Sequence, residues 1–84
     1  MPQLSKEAIY ILRKLYSWNR IGNKYINNHD LIRVFPRHLR NKRLFKEWIK
    51  DLKKADLIII HKNGECVSLN KHKLGEIESL IYPE

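Results

Sequence analysis

The chain has 84 residues, 43% of them hydrophobic and 31% charged, with a formal net charge of +8. That length fits one domain, residues 1–84, whose folding removes little more than ~60% of the unfolded surface from water. This argues against a large substrate cavity, and the apolar share argues against a disordered chain. A lone cysteine, Cys66, excludes an internal disulfide and a multi-cysteine zinc site and fits a reducing cytoplasm.

Residues 1–6 lack the basic and then apolar pattern of an export signal. The longest strongly apolar run, residues 57–60, is far too short for a bilayer, so no membrane partner is expected. Ser5 is an N-cap candidate, with Glu7 in the first turn where the helix dipole favours an acid, and a first helix is predicted over residues 5–19 or 5–20. Its apolar residues Ala8, Ile9, Ile11, Leu12, Leu15, Tyr16 and Trp18 cover about half the helix circumference, more than one core contact uses, while Tyr10 falls outside the arc. The excess suggests a second contact surface, such as a partner subunit.

Gly22 and Asn23 are expected to stop this helix. Residues 24–26 read as a very short strand, and Asn27 and Asn28 offer the next N-cap. A second helix fits residues 28–35, with Leu31, Ile32 and Phe35 as its apolar face, and ends there because Pro36 disfavours helical geometry at the residue before it.

Residues 33–54 hold nine of the seventeen Lys and Arg against two acids, Glu47 and Asp51, which is a net +7 of the chain's +8. The same stretch carries an apolar stripe of Leu44, Phe45, Trp48, Ile49, Leu52 and Ala55 at helical spacing. A third helix over residues 40–54 would therefore bury one face and turn Arg43, Lys46, Glu47, Lys50 and Lys54 outward, flanked by Arg40 and Lys53. Such a concentrated field attracts polyanions, chiefly nucleic acid, whereas most charge runs are simply solvated faces. Phe45 and Trp48 invite a base-stacking role, but their place on the apolar stripe assigns them to the core.

Residues 57–62 and 65–70 read as two strands joined by Asn63-Gly64, the dipeptide suited to a type I′ turn. That register sets Lys62 against Glu65, Ile60 against Val67 and Ile58 against Leu69, giving an aliphatic face, with Ile59, His61, Cys66 and Ser68 on the other. Asn70 is the N-cap candidate for a final helix over residues 71–81. Its stripe of Leu74, Ile77, Leu80 and Ile81 either packs beside the first helix or supplies a dimer contact.

This order of elements, and in particular residues 35–69 with the Asn63-Gly64 turn, resembles the winged helix-turn-helix domains of small prokaryotic, archaeal or viral DNA-binding proteins. The likeness spans nearly the whole chain and rests on element order and patterning, since that family has no diagnostic residue motif. It implies a mostly helical α+β fold with a three-helix core, a short first strand, a two-stranded hairpin wing and a C-terminal helix. It also implies double-stranded DNA as partner, with the third helix in the major groove and the wing near the flanking backbone or minor groove.

Carried onto this sequence, Arg40, Asn41 and Arg43 are the expected base readers, and Lys46, Lys50, Lys53 and Lys54 the phosphate contacts. Arg33, Arg37 and Lys62 add backbone contacts, and Asn63 at the wing tip completes the candidate set. Glu47, in the middle of the exposed face, either accepts from a cytosine amino group or pairs with Lys50 or Arg43. The wing is minimal, with Glu65 beside its turn and no Arg.

The implied role is a non-enzymatic transcriptional regulator or nucleoid-type protein of the cytoplasm, acting as a homodimer through the first and last helices. A two-fold operator would then present half-sites one DNA turn apart, ~34 Å. The alternative is an adaptor module whose basic face binds an acidic protein, and RNA is a third ligand to test. His29, His38, His61 and His72 show no metal-ligand spacing, and no phosphate loop or catalytic constellation is visible, so neither metal nor cofactor is expected. Cys66 and His61, opposite each other on the hairpin, lack the orienting group and cleft that a nucleophilic pair needs.

Overall fold

The structure is a computed structural model that describes residues 4–83. The reading of residues 1–6 as an unadorned lead-in falls in part on residues 1–3, which lie outside that range. The described residues form a small α+β fold of four α-helices and a three-stranded antiparallel sheet.

Helix α1 spans Lys6–Ser17 and starts as its sequence suggests: the Ser5 hydroxyl accepts from the Ala8 amide at 3.2 Å, and Glu7 sits in the first turn. It stops earlier than expected, and Gly22 is not what stops it. Asn19 takes the left-handed conformation at φ +58°. The Asn19 amide donates to Tyr16 C=O and the Arg20 amide to Leu15 C=O at 2.9 Å, which is a Schellman end. Ala8, Ile11, Leu12 and Leu15 are buried.

Strand β1, Ile26–Asn27, leads directly into helix α2, Asn28–Ile32. Asn27 caps α2, its side-chain oxygen accepting from the His29 amide at 2.7 Å. The helix is shorter than its apolar pattern predicts, because the chain tightens into i→i+3 bonds from Val34 to Leu31 and from Phe35 to Ile32 on its way to Pro36. After one 3-10 turn over Arg37–Leu39 comes helix α3, Lys42–Lys54, which begins two residues later than expected because Asn41 is its N-cap. Its far end repeats the device used at α1. Asp56 stands at φ +62°, its amide donates to Lys53 C=O, and the Leu57 amide donates to Leu52 C=O at 3.1 Å, with both leucines buried.

Strands β2, Ile58–His61, and β3, Cys66–Leu69, pair in the expected register: Ile58 with Leu69, Ile59 with Ser68, Ile60 with Val67 and His61 with Cys66. Asn63 and Gly64 take positive φ, +56° and +95°, as a type I′ turn requires. Lys62 also turns left-handed, at φ +52°, so strand pairing ends at His61 and Cys66, and Lys62 and Glu65 share only the bond from the Glu65 amide to Lys62 C=O. The sheet order is β1-β3-β2. Beyond β1, residues 20–22 lie along the end of β3, exchanging bonds of 2.8 and 2.9 Å with Leu69.

Helix α4, Leu74–Ile81, follows a 3-10 turn over Lys71–Lys73 that Asn70 caps through the His72 amide at 3.0 Å. Its buried residues, Ile77 and Ile81, pack against α1. Arg13 donates to Ile81 C=O at 3.1 Å and the Tyr16 hydroxyl to Glu78 at 2.6 Å. Helix α1 thus touches α3, α4 and β3 at once, and its broad apolar arc is used within the chain except at Trp18, which is exposed. Even Tyr10, outside the predicted arc, is engaged: its ring lies 5.0 Å from that of Phe35 and its hydroxyl donates to Val34 C=O at 3.3 Å. Among the described residues, no helix is long and apolar enough to cross a membrane.

Candidate nucleic-acid interface

Helix α3 is held by its apolar side. Phe45, Trp48 and Leu52 are buried and Leu44 and Ile49 half-buried. Phe35 lies 5.2 Å from Trp48 and 6.4 Å from Phe45, ring centre to ring centre, and joins them into an aromatic cluster under the helix. These rings cannot stack on bases without leaving the core. The other side presents Arg43, Lys46, Glu47, Lys50, Lys53 and Lys54, all exposed. At 1.5 Å of rise per residue, the cations from Arg43 to Lys54 extend over ~16 Å.

Little within the protein neutralises this face. Among the described residues the one ion pair lies elsewhere, from Lys73 Nζ to Glu76 Oε1 at 3.6 Å. Glu47 forms no ion pair with Lys50 or Arg43, contrary to the pairing its spacing suggests. An exposed pair of this kind is worth only ~0.3–0.5 kcal/mol, too little to hold two long side chains together.

Two of the three expected base readers are engaged by the protein itself. Arg40 precedes α3 and folds back on the turn between α2 and α3. Its Nε donates to Phe35 C=O and its Nη2 to Arg33 C=O, each at 2.8 Å. These are carbonyls that the early end of α2 leaves without helical partners. The Asn41 side-chain oxygen accepts from the amides of Arg43 and Leu44 at 2.9 and 3.2 Å, closing the first turn of α3. Arg43 is the expected reader whose side chain remains unengaged among the hydrogen bonds of the described residues. Arg33 and Arg37 are exposed beside the turn, as is His38.

The hairpin that follows carries Lys62 and Asn63 at an exposed tip. The tip is tethered: the Asn28 amide donates to Glu65 C=O and Asn28 Nδ2 to Gly64 C=O, both at 2.8 Å. Its outer face is not open, as strand alternation alone suggests. Residues 21–25 lie across it, so that Ser68 is 0% exposed and donates to Gly22 C=O at 2.7 Å. Since that hydroxyl gives its hydrogen to Gly22, His61 Nε2, 2.9 Å away, must donate to Ser68 Oγ.

Tyr25 stacks on the other side of the imidazole, 4.5 Å centre to centre, and Lys62 Nζ stands 5.9 Å from the Tyr25 ring. His61 and Cys66 are paired across the hairpin, but Cys66 is buried and the imidazole is occupied by Ser68 and Tyr25. Tyr25, which the sequence pattern does not connect with the hairpin, is therefore its neighbour. The small residues Cys66 and Ser68 at alternating positions on the supposed outer face were the available signal that something covers it.

The described residues contain no group of three or more His, Cys, Asp or Glu side chains able to hold a metal ion. An open groove of about 280 Å³ between the start of α1 and the turn before α3 is lined by Lys6, Glu7, Tyr10, Phe35, Pro36 and Leu39. No family model, curated protein or solved structure is similar enough to this chain to match it.

Proposed function

We propose that this protein is a winged-helix module that binds double-stranded DNA, with α3 in the major groove and the β2–β3 hairpin beside the flanking backbone, as a transcriptional regulator or architectural protein. The observation that carries the reading is the outward side of α3. Arg43, Lys46, Lys50, Lys53 and Lys54 are all exposed on one rod whose other side is anchored in the core. Electrostatic capture through these cations displaces counterions from the duplex, and docking of the rod in a groove follows. The element order α1-β1-α2-α3-β2-β3 and the exposed cation of Lys62 at the wing support the same reading. One copy of the chain carries both α3 and the hairpin.

The test is an anisotropy titration of a labelled duplex over a salt series. Affinity is expected to fall steeply with salt, and Lys50→Ala and Arg43→Ala are each expected to weaken binding and flatten the log-log slope by about one unit. Unchanged affinity in both variants would remove α3 as the contact surface. Tighter binding to an acidic protein or to RNA than to the duplex would favour the adaptor or RNA reading.

A further inference from the structure

We infer that α3 grips the phosphate backbone with little regard to base sequence, so the ligand class is duplex DNA in general rather than one operator; this rests on the duplex-binding reading above. Sequence readout in the major groove calls for side chains that match the donor and acceptor pattern of a base edge, chiefly Arg on guanine and Asn or Gln on adenine. Between residues 40 and 54 only Arg40, Asn41 and Arg43 are of these types.

Arg40 is drawn back onto Phe35 and Arg33 by two bonds of 2.8 Å, which take up the Nε–H and Nη2–H donors that a guanine edge would need. Asn41 has given its acceptor oxygen to two amides of α3, so it cannot present the donor–acceptor pair that adenine requires without uncapping the helix. The exposed cations left on α3 are Arg43 and five lysines, Lys42, Lys46, Lys50, Lys53 and Lys54. A lysine ammonium is a mobile, strongly hydrated point charge. It suits phosphate oxygens better than the fixed geometry of a base edge.

Glu47 bears on the same point. It is exposed among Arg43, Lys46 and Lys50 and bound to none of them. In a protein that holds phosphates, its charge lowers affinity for every duplex alike. In a base reader, it would select cytosine.

The experiment enriches binders from a pool of random duplexes and compares the winners with the unselected pool, using the wild-type chain and Glu47→Gln. Winners are expected to bind within about threefold of the pool, far short of the 10³-fold or greater preference of specific binders. If the five outward cations Arg43, Lys46, Lys50, Lys53 and Lys54 all meet phosphates, the salt slope is about −4 to −5. Glu47→Gln is expected to tighten binding several-fold for winners and pool alike. A preference above about a hundredfold, or a Glu47→Gln effect confined to duplexes with cytosine at one position, overturns sequence indifference and leaves duplex binding standing. Absence of binding to any duplex at low salt overturns both.

Discussion

Single side chains join elements that are distant in the chain. Asn70 is the clearest case: its amide nitrogen side chain donates to Asp56 C=O, its backbone amide to Leu57 C=O, and its side-chain oxygen accepts from His72. One residue thereby ties the end of α3, the approach to β2 and the start of α4. Tyr16 does similar work between α1 and α4 and can be followed by titration. Its hydroxyl donates to Glu78 at 2.6 Å, and the Tyr82 ring stands edge-on 6.0 Å away.

The hydrogen bond to the Glu78 carboxylate, then desolvation, then the negative charges of Glu78 and Tyr82, raise the Tyr16 pKa above its ordinary 10.0. Because the folded value exceeds the unfolded one, the stabilising contribution is whole below the unfolded pKa and is lost as pH rises through the folded value. Tyrosinate absorbance should therefore show an alkaline-shifted component that Tyr16→Phe removes and Glu78→Gln brings back toward the ordinary range. Tyr16 titrating normally in the wild-type chain would mean that the bond to Glu78 does not persist in solution.

At the scale of elements, helix ends explain most of the departures from the pattern read in the sequence. Periodicity finds where an apolar face runs, but where a helix stops depends on which residue turns left-handed and which carbonyls find donors. Asn19 and Asp56 do the turning here, with no glycine at either place. The α2–α3 turn depends on Arg40 in the same sense, since its guanidinium satisfies two carbonyls that have left the helical ladder.

A fork of two N–H groups is needed to reach both carbonyls, and a lysine ammonium cannot reproduce that geometry. Arg40→Lys and Arg40→Ala are therefore both expected to destabilise the fold, by about 1–2 kcal/mol given the exposure of the side chain. Urea denaturation measures this directly. Full recovery of stability in Arg40→Lys would show that charge, not the fork, is what matters at this position.

For the molecule as a whole, the consequential fact is that α1 packs against three other elements at once. Helices α3 and α4 and strand β3 divide its apolar arc among them, and α4 settles beside it rather than presenting Leu74 and Leu80 to a partner. The exposed large apolar side chains that remain among the described residues are Trp18, Tyr25 and Tyr82, and a stable homodimer normally buries a larger apolar set. The mass in solution, measured by light scattering at low micromolar concentration, is expected to be that of one 10.2 kDa chain. A mass of twice that value would restore the dimer suggested by the breadth of the arc.

The amino-acid sequence alone determined the identity and order of the elements, the hairpin register, and the division of α3 into an anchored side and a cationic side. Each of these follows from local periodicity or from one dipeptide's backbone preference, and neither needs distant contacts to be read. Tertiary structure alone decided that residues 21–25 cover the far face of the hairpin, that α4 packs beside α1, and that Arg40 turns back onto the carbonyls of Phe35 and Arg33. Those outcomes turn on which groups separated in the chain meet in space. Each unpaired buried carbonyl or amide must find a partner, and no one-dimensional pattern records which side chain will supply it.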